Sequence, residues 1–182
     1  MRRLLVPACL VSVLLLSTYL PVHTQSTAPV VVVETLKGLI EITTVPDEAP
    51  RSVAHFVALA KRGFYRGHRF HWVQPGVVQA GDPLSRDLTK QKDWGTGGSG
   101  PRLSSKGLGF FEPPKRTFDR GIVGLAYRPN YKPESADSMF FILTAPNPAL
   151  NGKYVVLGRV TKGMNVVDKI AIQDLIKNVT VR

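Results

Sequence analysis

Short runs of apolar and β-branched residues, each four to eight long, dominate the pattern along this chain. Two of them, at 30–35 and 39–44, are separated only by a segment containing Lys37 and Gly38, which predicts a β-hairpin. The dipeptide Pro75-Gly76 predicts a tight turn between a second pair. Six further strands are predicted at 69–73, 77–80, 122–126, 138–144, 154–160 and 176–181.

Helical periodicity is confined to two segments. Apolar residues recur at helical spacing between Pro50 and Gly63, with Ser52 as a candidate N-cap and Gly63 as the C-terminal stop. A second, shorter helix is predicted at 164–170. The segment 84–114 has little periodicity and is too long for a simple connector.

These elements predict one mainly β domain over residues 29–182. The chain shows no internal repeat and no second apolar core, and its 182 residues suit a single domain. Many short strands with only two helices favour a closed antiparallel barrel, in which closure also protects the sheet edges.

The N-terminal segment predicts export. Arg2 and Arg3 precede an apolar run at 4–20 and then a polar stretch, the pattern of a secretory signal peptide over residues 1–25. The expected location is the periplasm or the cell exterior, with no membrane contact after cleavage. The alternative is that the run, at the lower length limit for spanning a bilayer, remains as an anchor.

Charge and cysteine content exclude several classes of function. The chain carries +11, of which residues 1–25 contribute two arginines and no acid, so the remaining chain carries +9. Its cations are scattered without a basic helix or aromatic platform, so we expect no nucleic acid partner; a binder of anionic polymers stays an alternative. Cys9, the only cysteine, lies in the apolar run, which excludes disulfide and thiolate chemistry after cleavage.

Three motifs for cofactor, metal or hydrolase chemistry lack their context. The glycines of GTGGSG, at 95–100, are not preceded by a strand and are followed by Pro101, so no dinucleotide cofactor is expected. His68 and His71 would point to opposite faces of an extended segment, so no metal site is expected. Ser99 does not sit in a Gly-x-Ser-x-Gly elbow.

Four segments carry a resemblance to a known family. They are FVALAKRGFYRG at 56–67, FHWVQPGVVQAGDP at 70–83, SMFFILT at 138–144 and LNGKYVVLGRVTKGMNVVDKI at 150–170. Together, and in the family's order, they resemble the cyclophilin-type peptidyl-prolyl cis-trans isomerases. The resemblance implies a closed eight-stranded antiparallel barrel with two flanking helices. It also implies an enzyme whose partners are proline-containing peptides or unfolded exported polypeptides, acting as a monomer.

Isomerisation of an X-Pro bond requires a rotation and no nucleophile. Its barrier, about 20 kcal/mol, falls when the bond is desolvated and a donor meets the prolyl nitrogen, which gains a lone pair in the twisted state. By the resemblance, Phe141 forms the aromatic floor of the proline pocket and Gln79 orients a substrate carbonyl. Trp72 occupies the position of the family's catalytic arginine.

The remaining candidate residues bind the substrate. Strand alternation places Phe70 with Trp72 on one face, Val77 with Gln79 on a second and Met139 with Phe141 on a third, and the family builds its groove on these faces. The predicted substrate-binding set is Phe70, His71, Val77, Met139, Leu150 and Tyr154.

Several of these positions depart from the family pattern. Trp72 replaces the arginine, and an indole offers one N–H and no charge. The segment PGVVQ is one residue shorter than usual, and Met139 and Tyr154 replace a common glutamine and histidine. We therefore expect weakened catalysis, with a non-catalytic proline-binding chaperone or interaction module as the alternative. A cation from the 84–114 segment or just after it (Arg86, Arg102, Arg116 or a lysine) is a further hypothesis for the missing charge.

Overall fold

The structure of the protein is a computed structural model that describes residues 27–100, 107–128 and 130–182. The predicted signal peptide lies outside these residues. Within the described ranges, no helix is long and apolar enough to cross a membrane.

Eight antiparallel strands form one sheet in the order β3-β4-β6-β5-β7-β2-β1-β8. All eight predicted strands are present, most within two residues of their expected ends. The strands are β1 (Val30–Thr35), β2 (Gly38–Thr44), β3 (Trp72–Gln74), β4 (Val77–Ala80), β5 (Ile122–Leu125), β6 (Phe140–Leu143), β7 (Val155–Lys162) and β8 (Ile176–Val181).

The sheet curls into a half-barrel whose edge strands are β3 and β8. Among the described residues, the two edges are linked by one isolated bridge, between Arg69 and Leu175, instead of the continuous ladder that a closed barrel would have. Next to the bridge, the Phe70 amide donates to the Asp174 carbonyl at 2.9 Å and the Gln173 amide donates to the Phe70 carbonyl at 2.8 Å. Strand β3 begins only at Trp72, because the backbone before it pairs with this segment.

Within the described residues, two α-helices flank the sheet, α1 (Pro50–Lys61) and α2 (Met164–Val167). Helix α1 packs its apolar stripe against β7 and β8 and forms part of the main core, while α2 packs on β2 and is three residues shorter than predicted. Gly63, with φ of 72°, follows α1 as expected. The amide of Phe64 donates to the Leu59 carbonyl at 3.0 Å, which closes the helix end.

The N-terminus of α1 is capped from a distance. The prediction that Ser52 is the N-cap is wrong, since Ala49 holds that position without a side-chain bond. Instead the carboxylate of Glu112 accepts the Arg51 amide at 3.0 Å and the Ser52 amide at 2.8 Å. A carboxylate at a helix N-terminus satisfies free amides and complements the helix dipole. The 84–114 segment is therefore tied to the helix at its far end.

A second, smaller apolar cluster lies on the outer face of β5, β6 and β7. It comprises Phe118, Ile122, Ala126, Met139, Phe141, Leu143 and Val156. Because this cluster faces away from α1, it supports a surface on the outside of the half-barrel.

Candidate functional site

Strand register brings the predicted catalytic residues into one row across four strands. Trp72 on β3 is paired with Gln79 on β4, and Gln79 is paired with Phe141 on β6. Phe141 is paired in turn with Gly124 on β5. Directly opposed residues of antiparallel strands point to the same face, so these side chains share the outer face of the sheet.

A cavity of about 710 Å³ opens over this row. Its base is formed by strand residues, and its walls come from three loops that follow β4, β5 and β6. A volume of this size is typical of small-ligand and peptide pockets. The wall residues contributed by the loops include Trp94, Gly95, Thr96, Tyr127, Arg128, Tyr131, Asn147, Leu150 and Tyr154.

The Phe141 ring forms the apolar base of the cavity and is only 4% exposed. It stacks on Phe118 at a centroid distance of 6.2 Å and meets Tyr154 edge-on at 5.2 Å. The ring lies directly over Gly124, where an added Cβ would fall 2.2 Å from the Phe141 Cζ. The absence of a side chain at Gly124 therefore makes room for the ring.

Gln79 is held beside Phe141 by its neighbours. Its amide nitrogen donates to Nε2 of His71 at 3.1 Å and lies 3.8 Å from the sulfur of Met139. Burial lowers the pKa of His71, although the nearby Asp82 carboxylate opposes this, so the imidazole is neutral near pH 7. A neutral ring can accept the amide proton, which fixes the orientation of the Gln79 side chain.

Trp72 occupies the rim of the cavity and is 44% exposed. It lies across from Gln79 in the sheet. The side chain supplies an aromatic face and one N–H donor but no charge.

One wall of the cavity depends on a buried carboxylate. Asp82, fully buried, accepts the amides of Leu84 at 2.8 Å and Thr96 at 3.1 Å, and also the amide of Gly95. The indole N–H of Trp94 donates to the Leu84 carbonyl at 3.0 Å. These bonds hold Trp94, Gly95 and Thr96 against the strand row.

The opposite wall is aromatic. Tyr127 and Tyr154 stack at 4.6 Å with an interplanar angle of 25°. Burial, together with the adjacent Tyr127, raises the pKa of Tyr154 to about 12, so the Tyr154 phenol stays protonated at neutral pH. Arg128 follows on the same loop and donates to the Thr96 carbonyl, which joins the two walls.

All but one of the predicted site residues line this cavity. Trp72, Gln79 and Phe141 are joined there by His71, Val77, Met139, Leu150 and Tyr154. Phe70 does not line the cavity; its side chain is fully buried in the main core. Strand alternation fails for Phe70 because the strand begins at Trp72 and the Phe70 backbone bonds to Gln173 and Asp174.

Arg86 and Arg116, two of the proposed replacement cations, do not line the cavity. Arg86 donates to the carbonyls of Phe64 and Arg66, and Arg116 pairs with Glu48. Arg102 lies outside the described residues. The cation that does line the cavity, Arg128, was missed because it follows β5 in a loop without periodicity.

Two other kinds of site were considered from the sequence, a serine hydrolase site at Ser99 and a metal site. Ser99 Oγ donates to Asp137 Oδ1 at 2.7 Å, and the same oxygen lies 3.0 Å from Nε2 of His55. The carboxylate thus stands between the hydroxyl and the imidazole, an order that gives the serine no histidine base. Within the described ranges, no group of three or more His, Cys, Asp or Glu side chains is placed to hold a metal.

Comparison with known proteins identifies the family. The model of the cyclophilin type peptidyl-prolyl cis-trans isomerase family matches residues 30–181. The chain belongs to this family, and it is a peptidyl-prolyl cis-trans isomerase.

Two bacterial relatives carry the same description. The chain is 41% identical over 145 residues to a probable peptidyl-prolyl cis-trans isomerase of Brucella abortus, covering 77% of this chain and 70% of the relative. It is 35% identical over 150 residues to a peptidyl-prolyl cis-trans isomerase of Helicobacter pylori, covering 81% of this chain and 83% of the relative.

Solved structures show the same fold. A cyclophilin type isomerase of Cryptosporidium parvum superposes with a TM-score of 0.71 at 24% identity, over 84% of this chain and 96% of the other. A second structure of that protein, obtained in the presence of the dipeptide Ala-Pro, superposes with a TM-score of 0.69 at 26% identity, over 84% and 98%.

Proposed function

We propose that this isomerase is exported and assists the folding of proline-containing polypeptides outside the cytoplasm, with a turnover lowered by Trp72. The observation that carries the proposal is the row in which Trp72, Gln79 and Phe141 face one cavity. Support for export comes from the charged and apolar pattern of residues 1–25.

In the proposed mechanism, the proline ring packs on Phe141 and is thereby removed from contact with water. Desolvation favours the twisted amide, in which charge separation across the C–N bond is smaller than in the planar one. Gln79, oriented by its bond to His71, donates to a carbonyl of the peptide. The N–H of Trp72 is the nearest counterpart, by position, to the family's arginine.

The substitution at position 72 sets the expected rate. A neutral indole stabilises the developing lone pair of the prolyl nitrogen less than a guanidinium, whose hydrogen bonds are charge-assisted. Removing one preorganised donor costs other enzymes about a hundredfold to a thousandfold. We expect a Trp72→Arg variant to recover part of that factor, about tenfold or more in kcat/KM.

The test measures cis-trans exchange of an X-Pro peptide by NMR, with the protein lacking residues 1–25. Exchange above background that is lost in Phe141→Ala supports an enzyme that uses this cavity. Peptide binding without exchange, with exchange appearing in Trp72→Arg, would instead establish a proline-binding module. Secretion is tested separately, by fractionating cells that express the full chain and sequencing the N-terminus of the product.

A further inference from the structure

The cavity over Phe141 is asymmetric in charge. Among the described residues that line it, Arg128 alone carries a full charge at neutral pH, because His71 is neutral and no described Asp or Glu is part of the lining. Asp82 lies in the adjoining wall, and its carboxylate is already bonded to backbone amides. In the described part of the lining, a ligand therefore meets the positive charge of Arg128 and no negative charge.

Arg128 is held in a defined place. The side chain is partly buried, its guanidinium donates to the Thr96 carbonyl, and its Cζ lies 5.6 Å from the centroid of the Tyr131 ring. The loop it bonds to is itself fixed by Asp82. A guanidinium is planar and carries five N–H donors, so bonds to groups of the protein are compatible with a further bond to a ligand.

We propose that Arg128 is a specificity residue that recognises a carboxylate near the proline, so that the preferred substrates are acidic proline-containing segments. This inference rests on the proposed function, because it places the proline on Phe141. Arg128 follows β5 on the side of Tyr127 and reaches Thr96 in the facing wall, whereas Trp72 lies on the rim of β3. Its role is thus separate from that of the residue at the arginine position.

The chemistry of the site favours a carboxylate over other groups. Arginine binds carboxylates through paired, charge-assisted hydrogen bonds, and partial burial reduces screening. The net charge of +9 after residue 25 attracts acidic peptides in addition, but over a longer range and without a fixed position. A contact made by Arg128 should therefore depend on where the acidic residue stands relative to the proline.

The test uses peptides with one proline in which a glutamate is moved along the flanking positions, each matched by a glutamine peptide. Dissociation constants are measured by NMR titration at low salt. We expect tighter binding of glutamate at one position, by roughly three- to tenfold. The ratio of the dissociation constants of the matched glutamine and glutamate peptides should approach one in Arg128→Gln and be partly kept in Arg128→Lys.

The matched control is Arg159→Gln, which removes the same charge from an exposed position on β7 away from the cavity. The glutamate-to-glutamine ratio should not change in this variant. An unchanged ratio in Arg128→Gln, a ratio that falls equally in Arg159→Gln, or an equal preference at every position would each overturn the proposal. Thermal unfolding of each variant shows whether it is folded.

Binding and turnover separate this inference from the proposed function. If the wild-type protein binds peptides with a position-dependent glutamate preference but does not catalyse exchange, the role of Arg128 stands and the proposed catalysis fails. If it catalyses exchange but binds the glutamate and glutamine peptides equally at every position, the proposed catalysis stands and the role of Arg128 fails.

Discussion

Gly124 provides the sharpest test of how the site is built, because it carries no functional group and lies beneath the Phe141 ring. In Gly124→Ala the new methyl would lie 2.2 Å from Phe141 Cζ and 2.5 Å from Cε1, whereas ordinary contact begins at 3.4 Å. The ring must therefore withdraw by about 1.2 Å, the difference between the first and last of these distances. It is enclosed by Phe118 and Tyr154, so it can withdraw only by disturbing them or moving into the cavity.

This crowding sets the expected losses of stability and of turnover in Gly124→Ala. Inserting a methyl into a packed site costs typically about 1–3 kcal/mol of the free energy of unfolding. A displacement of about 1 Å at a reacting geometry costs up to about a hundredfold in rate. We expect Gly124→Ala to lose about 2 kcal/mol of stability and tenfold or more in kcat/KM.

Urea unfolding and NMR exchange measure the two effects. Gly100→Ala is the matched control, since a Cβ there meets none of the described atoms within 4 Å and the residue is not in the left-handed region. A double-mutant cycle tests whether the Phe141 ring causes the loss of stability in Gly124→Ala. In a Phe141→Ala background the ring is absent, so adding Gly124→Ala should lower the free energy of unfolding little further. Activity should remain low in the double variant.

Two outcomes would refute this reasoning. One is a Gly124→Ala protein with wild-type stability and turnover, which would mean that the ring does not lie on the glycine. The other is a Gly124→Ala penalty that is equally large with and without the Phe141 ring, which would place the strain elsewhere.

Two further predictions concern the surroundings of the site. Burial lowers the pKa of His68 from 6.5 to about 3, so between pH 7 and pH 5 the unfolded chain binds a proton that the folded chain does not. The free energy of unfolding should therefore fall by about 2 kcal/mol between these two pH values. The variant His68→Phe should show a smaller fall. Denaturant unfolding at the two pH values measures this, and an equal fall in both proteins would contradict it. Asp82→Ala leaves the amides of Leu84, Gly95 and Thr96 without their acceptor. We expect the free energy of unfolding to fall by about 3 kcal/mol and KM to rise. Both effects should be smaller in Asp82→Asn. Equal losses in the two variants would argue that the carboxylate charge, and not its acceptor geometry, holds the wall.

Much of the fold could be predicted from local pattern. The hairpin of β1 and β2, the turn at Pro75-Gly76 and the stop at Gly63 depend on residues close in sequence, so alternation and turn chemistry were enough to place them. The row of Trp72, Gln79 and Phe141 was also accessible, because motif resemblance supplied the register that alternation alone does not.

The errors arose where long-range backbone pairing overrides local pattern. Phe70 was expected in the groove, but its amide and carbonyl bond to the segment before β8, and its side chain turns into the core. Ser52 was expected to cap α1, but Glu112 performs that role from a distant part of the chain. Neither partner is marked by periodicity or by spacing.

The sequence by itself determined the strands, the main helix, the aromatic floor at Phe141 and the absence of a cation at Trp72. Only the tertiary structure decided which loops wall the cavity, since Arg128 meets Thr96 through a contact between two segments of irregular pattern. It also decided the need for Gly124, whose role appears only when the ring from the neighbouring strand lies over it. Local pattern specifies elements because their backbone bonding is regular; loop walls and steric gaps depend on side chains brought together by folding.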